Sequence, residues 1–247
     1  MEPTFIYGRH AVIEALKKRP DIIDTLYIRP SILSDAKVTS LLKQVKNVVE
    51  FDERKLPKGV ARDAVHQGLI ANVVIEKLLI PFKDYKKSLV VDANTSLAVL
   101  GEVQDPHNVG AIIRSAAAFG VGAVLIPEHR GCPITGTVIK VSTGTAFSVP
   151  LVEVKNINAA LRELKEMGFW VYGLDMLGDT SLPEEDFRRP SIFVVGNEGD
   201  GMREKTRELC DTVLTIKMHP RAESLNASVS AATVMYAWSA LHPQALL

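Results

Sequence analysis

Between residues 89 and 216 the chain alternates short apolar runs with helical patterns, and this alternation limits the possible folds more than any other feature. Runs at 89–92, 98–102, 122–126, 148–152, 169–174, 192–195 and 213–216 read as strands, and helices are expected near 108–119 and 157–167. A strand apolar at nearly every position is buried on both faces, so helices must cover both sides. The expectation is an α/β fold built on a mostly parallel sheet. After the last run, Ser224-Leu225-Asn226 opens a final helix, because Ser and Asn side chains satisfy orphan N–H groups at a helix start. Ala227, Ser228, Ser230, Ala231, Ala232, Ala237 and Ala240 make this helix rich in small side chains, which predicts that it is buried rather than laid on a surface.

The first part of the chain reads differently. Phe5, Ile6, Val12, Ile13 and Leu16 predict a helix over 4–19, stopped by Lys17-Lys18-Arg19-Pro20. A strand at 22–28, an amphipathic helix at 36–45 and a strand at 47–51 follow, then a weaker helix broken at Pro57 and Gly59, then a strand at 69–75. Residues 1–77 thus form a small α/β domain. Residues 78–87, with Pro81 and three lysines, read as a linker, and 88–247 as the second domain. His66 reads as a loop histidine before a strand, since no carboxylate or cysteine pattern accompanies it.

Net charge is zero, with 29 basic and 29 acidic residues, but the charge is unevenly placed. Residues 1–87 hold 16 Lys and Arg against 11 Asp and Glu, a balance of +5, which leaves −5 for the remainder. A basic N-terminal module suits contact with phosphates. Arg9, Lys17, Lys18, Arg19 and Arg29 are its candidate contacts. Cys132 and Cys210 alone provide neither a disulfide framework nor zinc spacing, so no metal and a reducing compartment, cytoplasm or an organelle matrix, are expected. No apolar run reaches the roughly 18 to 20 residues of a membrane span, and the start MEPTFIYGRH lacks a signal-peptide core. No membrane association is expected.

Three stretches carry chemistry. In the first, Gly101 to Gly110 runs from a strand through a Pro-containing loop into a helix bearing Arg114 in the otherwise apolar sequence IIRSAAAF. Asn108 and Arg114 lie six apart, so they share a direction only if Asn108 precedes the helix. Arg114 is either half of an internal salt bridge or a functional cation. The second stretch, Phe193 to Met202, ends a buried strand in Gly196-Asn197-Glu198-Gly199-Asp200-Gly201. This is G-x-x-G-x-G, neither the dinucleotide fingerprint nor a P-loop. Its acids would repel a pyrophosphate and suit a cationic or zwitterionic ligand. The third is Val213 to Trp238, with its Ser224-Leu225-Asn226 helix start.

Taken together, Asn-x5-Arg at a helix start, G-N-E-G-x-G-M after a strand and S-L-N-x-S at a late helix resemble the three motifs of the TrmH (SpoU) branch of the SPOUT methyltransferases. VSTGTAFSVPLVEVKN and KEMGFWVYGLD resemble further segments of that family, the latter of its rRNA-directed members. YGRHAVIEAL and HQGLIANV resemble its accessory domain, similar to the ribosomal L30e fold. The resemblance implies a SPOUT-type sheet with a C-terminal trefoil knot, preceded by an L30e-like RNA-binding domain. It also implies a homodimer moving a methyl group from S-adenosyl-L-methionine to a ribose 2′-hydroxyl of RNA. A guanosine of large-subunit rRNA is favoured over tRNA, and an inactive RNA-binding relative is the other alternative. By that resemblance Asn108, Arg114, Glu198, Ser224 and Asn226 form the reaction centre, and Gly196, Asn197, Gly199, Ile216, Met218 and Leu225 hold the cofactor. Arg114 would steady the developing alkoxide or an adjacent phosphate, since a guanidinium with a pKa of roughly 12.5 or more makes a poor base. The chain departs from the family pattern at Lys217, where Pro is usual, and at Pro220, where Gly is usual, so the cofactor loop is expected to be reshaped there.

Overall fold

The computed structural model of the chain describes residues 3–52, 54–197 and 201–247. In chain order the elements are β1 (Thr4–Tyr7), α1 (Arg9–Lys18), β2 (Ile23–Ile28), α2 (Ala36–Leu42), β3 (Asn47–Glu50), β4 (Leu69–Val73), β5 (Leu79–Pro81) and α3 (Phe82–Ser88). Then follow β6 (Ser96–Leu100), α4 (Pro106–Ala118), β7 (Ala123–Pro127), α5 (Gly136–Val141), β8 (Leu151–Val154), α6 (Ile157–Glu166) and β9 (Trp170–Leu174). The chain closes with β10 (Thr180–Ser181), β11 (Ser191–Val195), α7 (Glu204–Arg207), β12 (Thr212–Thr215) and α8 (Ala227–Leu241). Two compact units result: residues through Leu79 together with Ile134–Ser148, and Ile80–Pro133 together with Val149–Leu247.

The first unit holds a four-stranded sheet in the order β1-β4-β2-β3, with β4 antiparallel to both neighbours and β2 parallel to β3. The helix expected over 4–19 begins only at Arg9. Thr4, Phe5, Ile6 and Tyr7 are β-branched or aromatic and pair with β4, which a helix would forbid. Gly8, at φ 97°, turns the chain directly from strand to helix. The weaker helix expected after residue 51 does not form, and the described residues of 52–67 are turns, as Pro57 and Gly59 are the poorest helix formers. His66 is structural: its Nδ1 accepts the Gly68 N–H at 3.1 Å and its ring meets the Phe51 ring at 5.3 Å. Helix α5 completes this unit, with Lys140 over the Tyr7 ring at 5.4 Å.

The second unit is an eight-stranded sheet in the order β10-β12-β9-β11-β6-β7-β8-β5. The six pairings from β10 through β8 are parallel. Central strands β6 and β11 are buried at every position, as their continuous apolar sequence requires. On one face Leu161 and Leu164 of α6, with Phe82 and Tyr85 of α3, cover Leu97, Val99, Val171 and Val194. On the other, α4 and α8 pack together, and Trp238 meets Phe193 edge-on at 6.3 Å. Residues 78–87, read as a linker, carry β5 and α3 instead. The strand expected at 89–92 gives way to a turn, since Asp92 Oδ1 accepts from the Asn94 N–H at 2.9 Å and the Thr95 hydroxyl at 2.9 Å.

Strands β7 and β8 run outward from β6 on one side, while β11, β9 and β12 lie on the other. Strand order therefore reverses between β6 and β11. In an open parallel sheet, ligands bind outside the carboxyl ends of strands at such a reversal.

Candidate active site

Two close backbone approaches build the reversal point. Gly101 donates its N–H to the Val195 carbonyl at 2.6 Å, joining the ends of β6 and β11. A Cβ on Gly196 would come within 2.6 Å of the Gly201 carbonyl carbon, so only glycine lets these two segments lie together. Asn197 and Gly201 exchange two backbone hydrogen bonds, of 2.9 and 3.2 Å, and the Asn197 amide donates to the Glu102 carbonyl at 3.0 Å.

Beside this wall, at the carboxyl ends of β9, β11 and β12, opens a cavity of about 720 Å³. Its lining includes Gly196, Asn197, Ile216, Met218, Ser224, Leu225 and Asn226. Among the described residues, the charged ones in its lining are both acidic, Asp175 and Glu223. Asp175 is paired with Arg207 at 2.7 Å, while Glu223 is in no ion pair among the described residues. Met176 and Leu177, 60 % and 81 % exposed, add an apolar lip. Such a site suits a ligand with an apolar body and a positive centre.

Asn226 ties the site to the helices beneath it. As N-cap of α8 its Oδ1 accepts the Ser228 N–H at 2.8 Å. Its Nδ2 donates to Asn108 Oδ1 at 2.9 Å, joining residues 118 apart in sequence. Asn108 sits in the first turn of α4, where Asp105 is the N-cap and Pro106 takes the first helical position. Asn108 is therefore helical and 6 % exposed, so the condition under which it would share a direction with Arg114, a place before the helix, is not met. Arg114, two-thirds of a turn round the same helix, does not join it. The Arg114 side chain is exposed, with no ion pair among the described residues. Glu198 and Gly199 lie outside the described residues.

The profile of the SpoU rRNA methylase family matches residues 96–236, and a profile described as RNA 2′-O ribose methyltransferase substrate binding matches residues 5–78. The chain belongs to the SpoU rRNA methylase family. Among SpoU relatives, it is 38 % identical over 233 residues to the 23S rRNA (guanosine-2′-O-)-methyltransferase of Neisseria meningitidis, covering 93 % of this chain and 92 % of that one. The corresponding Vibrio vulnificus enzyme is 36 % identical, with 96 % of both chains covered. The fold is shared with the SpoU methyltransferase AviRb of Streptomyces viridochromogenes in complex with AdoMet, at TM-score 0.79 and 23 % identity, over 97 % of this chain and 90 % of that one. The resemblance read from the three motifs thus holds.

Within the SpoU frame the structure gathers Asn108, Ser224 and Asn226 with Gly196, Asn197, Ile216, Met218 and Leu225. The two unusual residues face away from the cavity: Lys217 is exposed and pairs with Glu184 at 3.4 Å, and Pro220 lies in an exposed turn. Sequence reasoning missed the Leu174–Leu177 end of β9 and Glu223, all of which line the cavity. The sequence marks β9 as a strand but does not say that it lies between β11 and β12, and that placement brings Leu174 to the site.

Proposed function

We propose that this protein transfers a methyl group from S-adenosyl-L-methionine to the 2′-hydroxyl of a guanosine in large-subunit rRNA. The observation that carries the reading is the 2.9 Å bond between Asn226 and Asn108 at the rim of the acid-lined cavity. When bound, the cofactor supplies an electrophilic methyl group on a sulfonium, whose positive charge suits Glu223 and whose apolar body suits Ile216, Met218 and Leu225. With the cofactor held by these residues, its methyl group would pass in line to the ribose oxygen, the sulfur would keep the electron pair of the broken carbon–sulfur bond, and the hydroxyl proton would pass to solvent water. Fixing the two reactants side by side contributes most of the acceleration. Asn108 and Asn226, locked to each other and to a helix start, position the ribose. Arg114 steadies the developing alkoxide.

Arg114 lies on the exposed side of α4 while Asn108 is buried, and in this reading it serves the cavity of a second copy. The protein is accordingly a homodimer, formed through α4 and α8. The trefoil threading of the C-terminal segment and the reading of RNA by residues 1–77 belong to the same proposal, as does action in the cytoplasm.

Titration of the full chain with S-adenosyl-L-methionine, and mapping of 2′-O-methyl sites in rRNA from cells with and without the protein, test the reading. One guanosine should lose its methyl group in the deficient cells. Absence of cofactor binding would leave an inactive RNA-binding protein, and a site lost from tRNA would move the substrate there.

A further inference from the structure

The same sheet edge carries a second cavity, of about 410 Å³, over the carboxyl ends of β6, β7 and β8. The Gly101–Glu102 and Gly201–Met202 segments stand between it and the acid-lined cavity. Its charge is reversed. Arg130, Lys155 and Arg203 line it with His129, against one carboxylate among the described residues, Glu102, already paired with Arg203 at 2.8 Å. Arg130 and Lys155 are exposed and carry no ion pair among the described residues.

The segments presenting these cations are held in place. The Glu128 N–H donates to the Val154 carbonyl at 2.9 Å, tying the ends of β7 and β8, and the Cys132 N–H donates to the Val103 carbonyl at 3.0 Å, tying the Arg130 loop to the end of β6. Below, Asn158 Oδ1 accepts from the Thr206 hydroxyl at 2.9 Å, joining the start of α6 to α7. Two residues of the lining, Glu102 at φ 68° and Arg130 at φ 64°, hold left-handed backbone that residues other than glycine seldom adopt. Such conformations persist where the surroundings enforce them, and they cluster at ligand sites.

We infer that this cavity seats a phosphodiester of the RNA strand next to the nucleotide being methylated, an inference that rests on the reading of the site as an RNA methyltransferase. A guanidinium grips two phosphate oxygens and an ammonium adds a point charge. Phosphate contacts fix the register of a strand without reading its sequence. Here they hold the strand so that the neighbouring ribose enters beside Asn108 and Asn226. The acidic cavity rejects phosphate and the basic one rejects a sulfonium, so the charge pattern alone sorts the two ligands along one edge.

The test uses the full chain, in-vitro-transcribed 23S rRNA as methyl acceptor, and the variants Arg130→Gln, Lys155→Gln and their double. Lys83→Gln, an exposed residue outside the cavity, is the charge-matched control. The double variant should raise KM for RNA about tenfold with kcat within about twofold, and lower the salt slope of RNA binding by about 0.7 for each phosphate left unneutralised. Cofactor affinity should not change, and Lys155→Arg should recover most of the loss. Unchanged KM and slope, or an equal effect from Lys83→Gln, overturns the inference. So does wild-type binding of guanosine monophosphate as tight as that of RNA, with both abolished together in the variants, which would mark a free-nucleotide site. Wild-type protein that binds no cofactor and methylates no rRNA overturns the function instead.

Discussion

Asn226 performs two tasks with one amide, and the two can be separated. Its oxygen caps α8 and its nitrogen holds Asn108. Asn226→Ala removes both, and should lower stability by about 1 kcal/mol, as N-cap losses do, while abolishing methyl transfer. Asn226→Asp keeps an acceptor for the Ser228 N–H but cannot donate to Asn108. It should unfold near the wild-type midpoint yet lose about a hundredfold in kcat, the scale of a misplaced reactant. Equal stability losses in the two variants, by thermal unfolding, would show that the asparagine pair is structural only. Cys210 offers a second check at this scale. Burial, then the neighbouring Asp211 charge, pushes its thiol up from 9.0 to about 11. The folded state therefore favours the protonated thiol, so this contribution is complete below pH 9 and is lost as pH rises from 9 towards 11. The loss is on the order of 2 kcal/mol, and Cys210→Ala should flatten the stability curve in that window. An unchanged slope would show the thiol to be open to solvent.

At the scale of elements, α4 and α8 each bury one side and leave a stripe outward. On α4 the stripe is His107, Ala111, Arg114 and Ala118, and on α8 it is Val229, Thr233, Tyr236 and Ala240. Both repeat at steps of four, three and four, the spacing of one helix face. The expectation that α8 is buried rather than laid on a surface was half met: Ala231, Val234, Met235 and Trp238 are covered, while Val229 and Tyr236 are 48 % and 62 % exposed. Small residues do allow close approach, and in the proposed dimer the second surface belongs to the other copy. A two-fold interface uses each residue twice, so Tyr236→Glu should convert a dimer of the 27.0 kDa chain to monomer in micromolar sedimentation and abolish activity. The companion test mixes the inactive Arg114→Ala and Asn226→Ala proteins after subunit exchange. If Arg114 serves the partner's cavity, about a quarter of wild-type activity returns, because half the dimers are mixed and each holds one complete site. No recovery would place Arg114 with its own chain's cavity. The three motif stretches and the caps of α4 and α8 were legible because they are local patterns with local causes. The order of strands was not, since pairing of β9 with β11 and β12 is decided by packing across the whole sheet. The turn at Asp92 and the strand–helix pair within 78–88 were missed because Lys-rich composition masked the apolar face of Phe82 and Tyr85.

For the whole molecule, the question is which surface of the N-terminal unit meets RNA. Deleting residues 1–77 is not a clean test, because α5 and Phe147 are buried as part of that unit. A Cβ on Gly136 would come within 2.3 Å of the Phe5 carbonyl oxygen, so the deletion would strip a tightly packed face and expose Val138 and Ile139. The five basic residues first singled out are also largely committed. Arg9 pairs with Asp35, Lys17 with Glu14 at 3.1 Å, and Arg19 with Asp21 at 2.9 Å while donating to the Lys77 carbonyl at 2.6 Å. Burial opposes the Arg19 charge, but the Asp21 hydrogen bond outweighs it and raises the guanidinium pKa further. A cation held by a carboxylate has less to offer a phosphate. The turns of 52–67 carry a different set, Arg54, Lys55, Lys58 and Arg62, all exposed and with side chains in no ion pair among the described residues. Cations on a loop without its own helix or strand can adapt to an irregular RNA surface. Replacing all four with Gln in the full chain should weaken rRNA binding and reduce its salt slope by about 0.7 for each phosphate that the loop no longer neutralises. Cofactor affinity and dimer mass should stay as in the wild type, since neither the cavity nor the α4 and α8 stripes is touched. An unchanged salt slope would show that this loop does not contact RNA, leaving the other exposed cations of this unit, among them Lys18, Lys37, Lys43 and Lys46, to test.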